Sequence, residues 1–121
     1  MSERLATELT KLLGERGFIA LAEAFGGRRL YVPTKVDSDG EIAKAIGLDA
    51  ARLLSRRKSP DYLRVPLARE VRARHYRAAG FSNGAIATKL GMTETGVNHM
   101  FARMDSPPVK GSEPERQFSL F

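Results

Sequence analysis

Apolar residues recur along this chain at two periods. Leu5, Leu9, Leu12 and Leu13 fall at helical spacing, with Ser2 placed to cap that helix. Gly14 and Gly17 interrupt it, and Phe18, Leu21, Ala22 and Phe25 form a second short apolar face. Gly26-Gly27 then predicts a stop, because glycine enters the left-handed region at no steric cost. Arg29-Leu30-Tyr31-Val32 alternates polar and apolar and ends at Pro33, which is the pattern of a short strand. Ser38-Asp39-Gly40-Glu41 reads as a capping box ahead of Ile42, Ala45 and Ile46, with Gly47 ending that turn. Asp49 is placed to cap a helix over Ala50–Arg57, and Tyr62-Leu63-Arg64-Val65 reads as a second strand before Pro66.

The two halves of this region echo each other. Residues 12–33 and 45–66 align without a gap: Gly14 matches Gly47, Leu21 matches Leu54, Leu30 matches Leu63, and Val32-Pro33 matches Val65-Pro66. Each copy is a helix running into a short strand. A lone strand leaves its edge groups unpaired, so the two strands are expected to pair, within one chain or between chains.

From Leu67 the pattern is helical again. Val71 and Tyr76 face inward and Gly80 provides the stop. Ser82 is placed to cap a helix running through Leu90, Gly91-Met92 makes a tight turn, and Thr93 caps a last helix to about Met104. Residues 83–102 fit a helix-turn-helix. Ala87 is small where two helices must approach, and Gly91 sits where the turn needs a positive φ. Ile86, Leu90, Met92, Val97 and Met100 take the buried positions, and the preceding helix 67–79 completes a three-helix unit. An ordinary helical hairpin shares part of this pattern. Beyond Met104 the chain turns polar and Pro-rich, without periodicity, and composition predicts disorder.

The expected organisation is therefore mainly α. An N-terminal unit with two αβ elements spans 1–66, a helix-turn-helix unit spans 67–104, and a tail spans 105–121. The 121 residues contain no cysteine, which excludes disulfides, cysteine zinc sites and thiol catalysis and points to a cytoplasmic address. No signal-peptide pattern follows Met1, and the longest wholly apolar run is Phe18–Ala22, so no membrane partner is expected.

Charge adds a direction. Lys and Arg number 20 against 14 Asp and Glu, for a formal net charge of +6. An excess of this sign fits a polyanionic partner. It concentrates between Arg52 and Arg77: Arg52, Arg56, Arg57, Lys58, Arg64, Arg69, Arg72, Arg74 and Arg77 stand against Asp61 and Glu70. Such a band fits phosphate contacts on double-stranded DNA, with Arg69 and Arg72 as candidate contacts. On the last helix Thr93, Glu94, Thr95, Asn98, His99 and Arg103 are left facing outward. Asn98 suits adenine, Arg103 suits guanine or phosphate, and Thr95 suits a thymine methyl or a phosphate. His99 reads as a contact or surface residue rather than a metal ligand. No P-loop, nucleophile elbow or paired-carboxylate frame is visible, so neither enzyme activity nor a cofactor is expected.

Phe25-Gly26-Gly27-Arg28-Arg29-Leu30-Tyr31-Val32-Pro33, followed by a C-terminal helix-turn-helix, resembles the Mor transcription activator family of phages and prophages over roughly residues 10–104. The resemblance implies a homodimer. In it Leu30, Tyr31 and Val32 would be dimer-strand residues, and Thr93 to Arg103 would form the DNA-reading helix. The second Val-Pro unit and the tail depart from the family pattern.

The chain ends Gln117-Phe118-Ser119-Leu120-Phe121, which resembles the peptide by which bacterial proteins dock on the replicative DNA sliding clamp. Phe118 departs from the usual Leu. Leu120 and Phe121 suit an apolar pocket and Gln117 a hydrogen bond at its edge. A segment that orders only on binding has modest affinity, about micromolar. Two functions follow as expectations. One is a DNA-binding regulator, working with RNA polymerase, that also engages the clamp. The other is a toxin-like inhibitor of replication elongation that fills the clamp pocket and is held in check by a neutralising partner.

Overall fold

A computed structural model describes residues 2–104 and 106–111. Among these, six helices and two strands occur in the order α1 (Ser2–Phe25), β1 (Arg29–Val32), α2 (Glu41–Ile46), α3 (Leu48–Lys58), β2 (Asp61–Arg64), α4 (Arg69–Ala78), α5 (Asn83–Leu90) and α6 (Glu94–Arg103). The fold is mainly α with one two-stranded antiparallel sheet. The chain divides into two compact units between Ala68 and Arg69.

In the first unit, glycine sets the path. Gly14 breaks α1 with φ 81° and ψ 164°, a region that essentially only glycine occupies. Gly17 stays inside the helix and does not interrupt it as expected. At the end of α1 the Gly26 amide donates to Ala22 O at 2.8 Å, and Gly27 turns the chain with φ 80°. A β-carbon on Gly26 would stand 2.5 Å from Ala22 O and 3.3 Å from the Leu67 Cα, so the close approach itself requires glycine. The cap expected of Ser2 involves a side chain outside the described residues.

Two expected caps are not formed. Gly40, not Ser38, is the N-cap of α2, and no side chain bonds there. Asp37 instead accepts from the Asp39 amide, closing a turn before the helix begins. Likewise α3 starts at Leu48, with Gly47 as N-cap and Asp49 inside the first turn. An acid there still favours the helix through its dipole.

The strands pair within the chain, with Leu30 opposite Leu63 and Tyr31 opposite Tyr62. Leu30, Val32, Leu63 and Val65 point into the core beside Leu9, Phe18, Leu21 and Leu54. Each such side chain contributes about 1.5–3 kcal/mol on burial. Leu30 and Val32, expected with Tyr31 on a dimer strand, are thus buried inside their own unit. Of the three, only Tyr31 is exposed. Ser55 is buried as well, and its hydroxyl lies within hydrogen-bonding distance of Pro33 O and Thr34 O, tying α3 to the exit of β1. Beside it lies an apolar cavity of about 210 Å³ bounded by Val32, Val36, Ile42, Ala43 and Ala51.

In the second unit, Ala73, Tyr76, Ile86, Ala87, Leu90, Val97, Met100 and Met104 form one core, with Phe81, Met92 and Phe101 packed against it. Val71, expected inside, is only half-buried, whereas Tyr76 is buried. Residues 106–111, the described part of the segment after Met104, lie against α4. Arg74 donates to Ser106 O at 2.8 Å and the Gly111 amide donates to Arg77 O at 3.0 Å. A β-carbon on Gly111 would stand 1.8 Å from Ala78 O, so glycine is what lets the strap lie this close.

Candidate nucleic-acid interface

The α5–turn–α6 segment is built by short-range rules. Ser82 caps α5 by accepting from the Ala85 amide at 3.1 Å, and Thr93 caps α6 by accepting from the Gly96 amide at 2.9 Å. Between them Gly91 takes the left-handed conformation, φ 68° and ψ 38°. Its amide and that of Met92 then close the end of α5 on Thr88 O and Ala87 O. Ile86, Ala87, Leu90, Val97 and Met100 are all buried, as the spacing predicts.

That packing decides which face of α6 is left outside. Thr93, Glu94, Thr95, Asn98, His99 and Arg103 are exposed together with Ala102. The set holds two amide or guanidinium groups able to make paired hydrogen bonds to base edges, two hydroxyls and one imidazole. The Thr93 hydroxyl oxygen already serves the cap, so its remaining capacity is its own O–H. Asn98 is also engaged: its Oδ1 accepts from the Asn83 amide nitrogen at the start of α5. Gly96 has a local explanation. A β-carbon there would meet Met92 Cε and Thr93 Oγ1, each at 3.2 Å, so glycine relieves crowding inside the turn.

The basic residues separate into different kinds. Arg69, the first residue of α4, is exposed and available to a phosphate. Arg72 is not: it is 7 % exposed, its Nη2 donates to Lys89 O at 3.1 Å and its Nε donates to Tyr76 Oη at 3.2 Å. The carbonyls of the last turn of α5 have no helical partner, and Arg72 satisfies one of them from α4. Arg72, expected as a DNA contact, is thus engaged inside its own unit. Arg77 is half-buried, donates to Phe81 O at 3.0 Å and lies 5.0 Å from the Phe101 ring centre. Arg74 donates to Ser106 O, and the remaining five members of the band belong to the first unit. Arg52, Arg56, Arg57 and Arg64 are exposed there, while Lys58 pairs with Glu8 at 3.0 Å.

Sequence reasoning missed one surface. The outward face of the β1–β2 sheet carries Arg29, Tyr31, Tyr62 and Arg64, all exposed. Tyr31 and Tyr62 meet edge to face with ring centres 5.2 Å apart, and the Arg29 guanidinium lies 4.2 Å from the Tyr62 ring centre. Arg29 and Arg64 stand directly opposite across the strands. The signal was present in the alternation of both strands, whose outward positions are arginine or tyrosine. What it lacked was the register that puts the two sets side by side.

Among the described residues no group of three His, Asp or Glu side chains stands together to hold a metal. No described helix is long and apolar enough to cross a membrane. The clamp-type segment Gln117–Phe121 lies outside the described residues. No protein-family model, no curated protein and no solved structure matches this chain.

Proposed function

We propose that this protein is a Mor-like helix-turn-helix transcriptional regulator, acting with RNA polymerase, that binds double-stranded DNA through α6 and docks on the DNA polymerase sliding clamp through Gln117–Phe121. The observation that carries the DNA half is the turn at Gly91. It fixes α6 against α5 with Thr95, Asn98, His99 and Arg103 outward in one polar row. Such a row, short enough to enter a major groove, can read base edges, while Arg69 and the exposed arginines of the first unit can meet phosphates. The Arg29–Arg64 pair supports the same reading. Like charges directly opposite on a sheet repel, and a phosphate oxygen between them would relieve this. Thr93 contributes by capping the reading helix, and its hydroxyl proton remains free for a phosphate oxygen.

The clamp half rests on sequence. Phe118, Leu120 and Phe121 cluster in a stretch of otherwise polar residues, and an apolar cluster of this kind marks a binding segment. The same tail supports a second reading, in which the protein inhibits replication elongation by filling the clamp pocket and a neutralising partner holds it in check.

Two paired lesions separate these readings. Asn98→Ala with Arg103→Ala should weaken binding to duplex DNA by at least tenfold, following the usual ~1–3 kcal/mol per base contact, and leave clamp binding whole. Leu120→Ala with Phe121→Ala should do the reverse. The readout is fluorescence anisotropy on labelled duplex and on labelled clamp. If overexpression still arrests growth in the first variant and not in the second, the inhibitor reading replaces the regulator. If neither protein nor tail peptide shifts the clamp signal at tens of micromolar, clamp docking is wrong.

A further inference from the structure

We infer that the first unit is an internal duplicate that closes on itself as a one-chain pseudo-dimer. The protein therefore engages DNA as a monomer, on a site without two-fold symmetry. The second statement rests on the DNA-binding reading; the first does not.

The two copies agree in backbone as well as in sequence. Gly14 has φ 81° and ψ 164°, and Gly47, 33 positions later, has φ 94° and ψ 154°. Both stand between two helical segments, and the second segment of each pair leads into a strand. Leu21 and Leu54 are each 0 % exposed, and Val32 and Val65 are 1 % and 0 % exposed. One difference is informative. Buried Phe18 is matched by buried Ala51, whose smaller side chain lines the 210 Å³ cavity.

The register supplies the symmetry. Leu30 faces Leu63, its own counterpart. Under the 33-residue shift Arg29 corresponds to Tyr62 and Tyr31 to Arg64. The pairs Arg29–Arg64 and Tyr31–Tyr62 are therefore exchanged with each other. That is the pairing made by a two-fold axis through the Leu30–Leu63 pair, the arrangement of an isologous dimer. A chain with one copy would own an unpaired strand and half a core, and would meet both needs with a second molecule. Here the second copy is tethered by residues 34–44, at an effective concentration of about millimolar, against which a free partner at micromolar concentration loses. The surface a homodimer would use is consumed in cis.

The reading unit is not duplicated: residues 69–104 hold one α5–α6 pair. Dimeric helix-turn-helix proteins place two reading helices about one DNA turn apart on inverted half-sites. A self-closed chain with one reading helix reads one half-site, and it brings one C-terminal tail rather than two to a clamp ring.

The test uses the full-length protein. Light scattering across a hundredfold concentration range should give the mass of one 13.3 kDa chain throughout, with a melting temperature independent of concentration. A doubled mass, or a melting temperature that climbs with concentration, overturns the pseudo-dimer. Sites selected from a randomised duplex pool should carry a single element within about one turn, ~10 bp, bound one to one. Inverted paired half-sites bound two to one overturn the asymmetric-site statement. If no duplex is selected, the DNA-binding reading falls, and the solution mass still decides the pseudo-dimer by itself.

Discussion

Arg72 and Arg103 carry the same charge in opposite surroundings. Arg103 is exposed at the end of α6, whereas Arg72 is folded under α5 with its donors on Lys89 O and Tyr76 Oη. Composition cannot separate them, since both add one to the basic excess. Replacing Arg72 with Met keeps the apolar stem and removes the fork with its bonds to Lys89 O and Tyr76 Oη. The expected loss is about 1.5–3 kcal/mol of stability, read by chemical denaturation. Arg72→Lys should recover little of it, because an ammonium cannot reproduce the two-directional guanidinium bonds. Arg103→Ala should leave stability within about 0.5 kcal/mol. Asn98 shows a subtler case. Its outward position was legible from spacing, but its bond to Asn83 was not, and that bond must be exchanged or shared when a base is read.

At the level of elements, glycine geometry carries the design. Gly14 and Gly47 lie in a region closed to other residues, yet a β-carbon at either meets nothing within 4 Å. Any cost of alanine there is therefore conformational rather than steric. Gly14→Ala and Gly47→Ala should each destabilise the protein by about 1–3 kcal/mol, and by similar amounts, as duplicated hinges would. Gly91→Ala, in the milder left-handed region, should cost about 1–2 kcal/mol. Denaturant midpoints of the three variants check this, and a large inequality between Gly14 and Gly47 would speak against equivalent copies. The α5–α6 element was readable in advance because its determinants lie within a few residues of one another: Ser82 and Ala85, Thr93 and Gly96, and Gly91 itself. The caps of α2 and α3 were misread for the converse reason. Asp37 closes a turn on the Asp39 amide, and Gly40 and Gly47 take the N-cap positions without a side-chain bond, a choice the pattern alone does not rank.

For the whole molecule, the basic excess makes a prediction about salt. If about five exposed arginines meet phosphates, raising salt from ~50 to ~200 mM should lower DNA affinity about five-hundredfold, and Arg69→Ala should reduce the logarithmic slope by ~0.9. A flat salt response measured by anisotropy would remove the basic surface from the binding reaction. Sequence alone determined what depends on neighbours along the chain. These were the glycine breaks, the alternating strands, the repeat at 33 positions, and the helix-turn-helix with its outward row. Only the tertiary structure decided what depends on residues far apart in sequence. It chose pairing of β1 with β2 in cis, placed Leu30 and Val32 in the core, set the Tyr31–Tyr62 and Arg29–Arg64 pairs side by side, and hid Arg72 under the end of α5. The physical reason is one of range. Caps and turns are settled by bonds spanning three or four residues, whereas register and the burial of a charge are settled by what another element brings to meet them.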